Sequence, residues 1–417
     1  MSRTFQALRN YNYRLFWLGQ LVSLTGTWMQ TIGQAWLVLR LTSSPLAVGI
    51  VTALQTLPIL LFTLFGGVFA DRVPKRRFLL FTQVVSAVQA LVLGLLVLTN
   101  TVQLWHVYVL ALILGIINAF DNPTRQAFVV ELVGREDLAN AVALNSSLFN
   151  AARIVGPAVG GVLIGAVGLA DAFLLNAASF IAPIVALTLM RADQFHSVPR
   201  PARGNVFRQI GEGLSFVRHT VPAFIIVIMM AVLGTFGYNF SVTLPLIAEF
   251  VLHTDAAGFG LLTAFMGVGS LLGALLLANR SQATYPLLLG ASVLFAFFLG
   301  GVALSSWMPL TAVLLILLGL ASITYTAMSN TLLQLNSPDH LRGRVMSIYF
   351  LLFAGSTPIG GFLTGWLANH IGVPETLLIE AAICLVGVLG GIRYYVIHRQ
   401  QIPAEQRVRL LGASGVK

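Results

Sequence analysis

The sequence predicts an all-α membrane protein of twelve transmembrane helices in two six-helix bundles, with both termini in the cytoplasm. Three observations carry that expectation: composition, the grouping of apolar runs, and the placement of basic residues. Of the 417 residues, 57% are hydrophobic and 9% charged. Ordinary soluble domains carry about 25% charged residues, so a water-soluble fold is excluded. At about 20 apolar residues per crossing, twelve spans use roughly 240 residues and leave short loops.

The apolar runs fall at 13–39, 46–70, 78–99, 104–124, 139–168 and 172–190, and again at 222–251, 257–279, 285–305, 309–333, 345–368 and 375–397. Between the two sets, residues 191–220 carry Arg191, Arg200, Arg203, Arg208 and Arg218 and two prolines, Pro199 and Pro201. Helical apolar spacing from Val206 to Val217 predicts a helix lying on the membrane surface. The expected organisation is an N-terminal bundle (1–190), a cytoplasmic linker (191–220), a C-terminal bundle (221–400) and a cytoplasmic tail (401–417).

Placing the N-terminus in the cytoplasm puts all 24 Lys and Arg on that side except Arg40, at an outer helix end, and Arg153, within a span. The positive-inside rule then sets the orientation. The net charge of +10 is spread in short clusters between apolar runs, which reads as topology and not as a nucleic-acid surface. The basic N-terminus leads into an apolar run far longer than the about 7 to 15 residues of a signal sequence, so the first helix is expected to be retained. The single cysteine, Cys384, rules out a disulfide framework or CxxC pair within one chain. The seven histidines lie at helix ends or in loops without an HExxH pattern, so no metal site or cofactor is expected.

The halves echo each other. At a shift of 208 residues, Gly26 and Thr27 meet Gly234 and Thr235, and Asn122 and Gln126 meet Asn330 and Gln334. Pro157 with Gly160 and Gly161 in the fifth span has a counterpart in Pro358 with Gly360 and Gly361 in the eleventh. Such internal repetition suits a 6+6 duplication.

The loop after the second span reads GGVFADRVPKRR, from Gly66 to Arg77, and resembles the GxxxDRxGRR loop of the major facilitator superfamily. Pro74 stands where that pattern has glycine, and Lys75 where it has the first arginine. The equivalent loop of the second half, LLLANRSQA, lacks the acid. ARIVGPAVGG, from Ala152 to Gly161, is similar to the GPxxGG signature of the superfamily's drug exporters. With FDNPTRQAF at 120–128 and LRGRVMS at 341–347, the chain most resembles the drug-proton antiporter group containing macrolide efflux proteins and the enterobactin exporter.

That resemblance implies a major facilitator fold in a bacterial inner membrane. It further implies a gating loop of Gly67, Asp71, Arg72 and Lys75, with Asp121 joining Asp71 and Lys75 in a charge network. Gly67 would permit close helix contact. From spacing alone, Asp121 and Arg125 are also placed for an ordinary i,i+4 helix pair. Gly156, Pro157, Gly160 and Gly161 are expected to pack helices tightly.

Polar residues inside the spans are the remaining signals. Gln20, Ser23, Thr27, Gln30 and Gln34 share one face of the first helix, which must meet protein or water. Helix packing and cavity lining are both open for this stripe. Asn145, Ser146, Asn150 and Arg153 share a face of the fifth helix. An arginine that deep marks either a permanent interhelical pair or a pathway for anionic cargo. Thr235, Tyr238 and Asn239, with Ser322, Tyr325, Thr326 and Ser329, offer a mixed aromatic and hydroxyl surface suited to an amphipathic organic ligand. Glu249 and Glu380 are placed near outer helix ends within reach of water; Glu380, the deeper, is the candidate proton site.

A membrane-embedded enzyme would need paired carboxylates or an activated nucleophile at a common depth, and the sequence shows none. A passive channel typically needs rings of like groups from several subunits. With those set aside, the resemblance implies a secondary transporter exporting a small amphipathic molecule, a drug or a secreted metabolite, with a proton as driving ion, and the expected state is a monomer. A dedicated siderophore exporter and an uncoupled uniporter are the alternatives, since the first half offers no carboxylate at mid-membrane depth.

Overall fold

The structure, a computed structural model, describes residues 3–70, 72–196, 206–278, 283–398 and 400. Helices occupy nearly all of this. In chain order they are α1 (Tyr11–Thr42), α2 (Pro45–Ala70), α3 (Lys75–Leu98), α4 (Leu104–Val133), α5 (Leu138–Val167), α6 (Leu169–Ser179), α7 (Ile181–Leu189), α8 (Val206–His219), α9 (Val221–Phe236), α10 (Phe240–Phe250), α11 (Ala256–Ala278), α12 (Tyr285–Leu304), α13 (Met308–Leu335), α14 (Asp339–Ile371) and α15 (Val373–His398). Among the described residues, ten helical spans are long and apolar enough to cross a membrane, α6 with α7 and α9 with α10 each counting once. The polar stripe dilutes α1. In α5 the apolar sequence is split into Leu138–Phe149 and Val155–Val167.

Two of the expected spans are broken. Pro183 lies in the first turn of α7, where its ring would clash with the carbonyl of Ser179 in a continuous helix, so the chain kinks at Phe180. The other break spans Gly237 to Asn239. There the N–H groups of both Gly237 and Tyr238 donate to the carbonyl of Leu233, at 2.7 and 3.1 Å. The carbonyl of Thr235 instead accepts from the side-chain amide of Asn239 at 2.7 Å. In a continuing helix that carbonyl would take the backbone N–H of residue 239.

The chain divides into two compact units. The first comprises Met1–Ala202 with His253–Ala264, and the second Arg203–Leu252 with Phe265–Lys417. In the first, α1 packs on α5, α2 on α4, and α3 on α6. Glycines admit the closest approaches: Gly115 of α4 sits against the carbonyls of Leu54 and Gln55. One end of this unit is an apolar core in which Tyr13, Phe16, Leu79, Phe128, Leu132 and Leu187 are almost fully buried.

The second unit packs α9 on α14 and α12 on α13 and α15. Gly269 and Gly319 bring α11 and α13 together. The amphipathic helix α8 lies on α14, with Gly213 against the backbone of Arg344 and the side chain of Ile348. Glu212 pairs with Arg344 there and, at 3.0 Å, with Arg208 of its own helix.

Candidate functional site

The turn joining α2 to α3 is rich in charge, but its pairing differs from the expected network. Asp71 lies outside the described residues. Arg72 is exposed, its backbone closing a turn on Phe69. Lys75 Nζ donates to Glu131 Oε1 at 2.6 Å and not to Asp121. Asp121, 2% exposed, is bonded through Oδ2 to Arg125 on its own helix. Its Oδ1 accepts from Thr82 Oγ1 at 2.5 Å and Gln83 Nε2 at 3.3 Å. Asp121 faces α3 from inside α4, whereas Glu131, ten residues further along, reaches the first turn of α3. Glu131 went unread because the sequence pattern directed attention to the aspartates.

Gly67 is also corrected. A Cβ built on it meets nothing within 4 Å, while one on the preceding Gly66 would meet the carbonyl of Ala119 at 2.5 Å and Pro123 at 3.1 Å. One residue turns a helix by about 100°, so only Gly66 faces α4. Arg76 donates from Nε to the carbonyl of Leu187 at 2.6 Å and from Nη2 to that of Thr188 at 2.8 Å. A cation thus binds the free carbonyls ending α7, as the helix dipole favours.

The stripe on α1 is buried except for half-buried Thr27, whose hydroxyl donates back to Ser23 O at 2.9 Å. Gln30 is consumed by packing: its Nε2 donates to Gln89 of α3 at 3.0 Å, and its Oε1 accepts from Asn176 of α6 at 2.5 Å. Gln34 Oε1 accepts from Gln55 of α2 at 3.0 Å. Gln34 Nε2 and Gln20 Oε1 are buried without a partner. Sequence reading missed Gln55, Gln89 and Asn176. Each is an amide inside an apolar run, the same signal that exposed the stripe.

On α5, Asn145 Oδ1 accepts from the hydroxyl of Tyr13 at 3.0 Å. The side chains of Asn150 and Arg153 lie outside the described residues. Gly156 sits against Trp28 and Thr25, and Gly160 against Met29, so this face of α5 rests on α1. Pro157 is buried one turn before Gly161, whose Cα faces that of Gly260 at the start of α11, within the same unit.

In the second unit the expected binding surface is mostly interior. Tyr325 is fully buried. Its ring centroid lies 6.3 Å from that of Tyr238, so it stands behind that residue. Tyr238 is half-buried, stacks on Phe295 at 5.0 Å and donates to the carbonyl of Ser322 at 2.8 Å. Asn239 is 1% exposed and donates from Nδ2 to Thr364 Oγ1 at 3.0 Å as well as to Thr235. Thr364 Oγ1 in turn donates to Glu380 Oε1 at 2.5 Å. Glu380 is 1% exposed. It is therefore not the water-reachable helix end its position suggested: it lies two turns into α15, on the face turned toward α14. Glu249 is half-buried near the end of α10. Among the described residues no group of His, Cys, Asp and Glu is arranged to hold a metal ion.

Bundled apolar helices with buried amides and an isolated interior carboxyl define a multi-pass membrane transporter. Residues 2–410 match the profile of the family described as transmembrane secretion effector, and the chain belongs to that family of the major facilitator superfamily. It is a transporter and not an enzyme, and its place is the bacterial inner membrane. It is 28% identical over 375 residues to the multidrug efflux pump Tap of Mycolicibacterium fortuitum, covering 87% of this chain and 91% of that one. It is 25% identical over 394 residues to the staphyloferrin A transporter of Staphylococcus aureus, covering 93% and 96%. Among solved structures it resembles a bacterial homolog of the human lysosomal transporter Spinster, in an inward-facing and unoccupied conformation. That match has a TM-score of 0.71 at 14% identity over 94% of this chain and 97% of that one, a likeness of fold alone.

Proposed function

We propose that this protein exports a small amphipathic organic molecule by alternating access, driven by the proton gradient, as a monomer of twelve spans with both termini in the cytoplasm. In this reading residues 1–190 and 221–400 are the two six-span halves, joined by a cytoplasmic linker at 191–220 and followed by a cytoplasmic tail at 401–417. The observation that carries the proposal is the near full-length similarity to a multidrug efflux pump. The unpartnered buried amide atoms of Gln20 and Gln34 support cargo contact along α1, because such atoms are costly unless something bonds them. Arg153 would meet anionic groups of the cargo, and Tyr238 its apolar body. The charged α2–α3 turn, with Asp71 and Lys75, would act as the gate, and Glu380 would carry the proton.

A second reading, a dedicated siderophore exporter, is favoured by the similarity to the staphyloferrin A transporter. The test is uptake of a lipophilic dye or a macrolide into inverted vesicles, with and without an imposed inward-acid pH gradient. Gradient-dependent accumulation is expected. Accumulation indifferent to the gradient would make the protein a uniporter, and none with any drug would shift the cargo to siderophores.

A further inference from the structure

The buried carboxyl of the second unit is wired to the break between α9 and α10. In a continuous helix the carbonyl of Thr235 would accept a backbone N–H; here the Asn239 side chain fills that place at 2.7 Å. The same amide donates to Thr364 Oγ1 at 3.0 Å, and Thr364 donates to Glu380 Oε1 at 2.5 Å. Asn239, Thr364 and Glu380 are each 1% exposed. The Asn239 Oδ1 atom is buried with no partner. Gly360, one turn before Thr364, lets the α14 backbone approach this point, since a Cβ there would collide with the Thr235 carbonyl and the Asn239 amide. A side-chain prop that holds a helix open is thus joined by a single hydroxyl to a carboxyl two helices away.

We propose that Glu380, Thr364 and Asn239 form a proton-operated clamp on the α9–α10 break. This rests on the reading of the protein as a proton-driven exporter and specifies how the proton acts. With Glu380 ionised, the Thr364 hydroxyl points at the carboxylate and its oxygen is free to accept from Asn239, each bond polarising the next. A proton taken up from water converts the carboxylate to an acid whose O–H donates to Thr364 Oγ1. The Thr364 proton turns to the carbonyl of Gly360, four residues back, as threonines in helices do. Thr364 no longer donates to a carboxylate that polarises it and instead accepts from the acid as well as from Asn239, so the bond to Asn239 weakens and the prop on Thr235 is released. Loss of the proton restores the clamp, so no atom is consumed. Because Glu380 is sealed from water, motion at the break is also what admits the proton.

The other titratable groups brought to this region are Cys384, one turn along α15, Tyr238 at the break, Tyr325 of α13 against Tyr238, Tyr349 of α14, and Glu249 near the end of α10. Helix α9 has none, α12 contributes only Tyr285 at its far end against Tyr395, and on α14 His370 is exposed. Glu380 is bonded to the break through Thr364 and Asn239.

Infrared difference spectra of the purified full-length protein between acid and alkaline pH test the clamp without any cargo. A protonated-carboxyl band is expected in the wild type, absent in Glu380→Gln, displaced in Thr364→Val and returned in Thr364→Ser. In vesicles, Thr364→Val and Asn239→Ala should lower gradient-driven macrolide accumulation at least tenfold relative to macrolide exchange at equal concentrations. Thr364→Ser should recover it. A wild-type spectrum with no such band, or one that Glu380→Gln leaves intact, overturns the clamp even if transport follows the gradient. A band that behaves as expected, in a protein whose transport ignores the gradient, overturns the proton-driven reading and the clamp's role in it.

Discussion

The two units share a packing plan and differ in what they bury. In each, the first helix of the unit's long columns rests on the fifth: α1 on α5 and α9 on α14. The third rests on the sixth: α3 on α6 and α12 on α15. At the shift of 208 residues, Gln30 corresponds to Tyr238 and Asn176 to Cys384. The amides Gln30 and Asn176 of the first unit are therefore replaced in the second by an aromatic ring and a thiol, and Gln89 by the exposed Phe297. The acids differ in the same way. Asp121 of the first unit is neutralised by Arg125, whereas Glu380 of the second has a hydroxyl as its bonded partner. The shift pairs Asp121 with Ser329 and Ala172 with Glu380, so the packing plan fixes where helices touch, and the side chain placed at each contact decides whether it is inert or titratable.

The largest expected effect tests that contrast directly. Asp121→Ala leaves Thr82 and Gln83 without their acceptor and the Arg125 guanidinium without its counter-charge; breaking a buried pair from one side costs about 3–5 kcal/mol, and the partial exposure of Arg125 puts the loss at the low end. Glu380→Gln still presents an oxygen to Thr364, so it should lose less than about 1.5 kcal/mol. Thermal unfolding of both variants in detergent measures the difference. Equal losses would mean that Glu380 is as structural as Asp121 and would erase the distinction between the units.

A pair of adjacent glycines gives a middle-sized effect. Gly66→Ala drives a methyl group into the Ala119 carbonyl and Pro123, and overpacking of this kind costs about 1–3 kcal/mol. Gly67→Ala enters open space on the same helix, where alanine is favoured over glycine by about 0.5–1 kcal/mol. Opposite signs in the two melting shifts are expected. The same sign for both would mean that α2 turns a different face toward α4.

These pairs also show what the sequence could reveal. The helical columns were legible because apolar runs and punctuating charges follow from bilayer thickness and the absence of water within it. The polar stripe on α1 was legible from 3.6-residue periodicity. Rotation was not: which of Gly66 and Gly67 faces a neighbour depends on α4, and a motif match favoured the wrong one. Pairing was not legible either, since Lys75 has Asp121 and Glu131 within plausible reach and only the fold selects Glu131. The break at 237–239 was hidden because a glycine followed by Tyr-Asn inside an apolar run reads as a continuous span. Glu380 was misjudged because distance from a helix end measures depth along the membrane and not whether the residue faces a neighbouring helix.

The smallest effect concerns α8, which packs on α9 and α14 as the short helix Arg3–Arg9 of the first unit packs on α1 and α5. Glu212 joins Arg344 of α14, both about one-third exposed. Exposed ion pairs contribute about 0.2–1 kcal/mol because water screens the charges and two long side chains must be held still. The helix has a second hold, Gly213 pressed against Ile348 and the Arg344 backbone, with Val217 buried. A double-mutant cycle of Glu212→Ala and Arg344→Ala should therefore return a coupling below about 1 kcal/mol, while Gly213→Leu alone should cost more by prising α8 from α14. If the ion-pair coupling instead exceeded the effect of Gly213→Leu, charge would be what fastens the linker helix to its unit. Its attachment would then weaken as salt is raised, a dependence that apolar packing does not share.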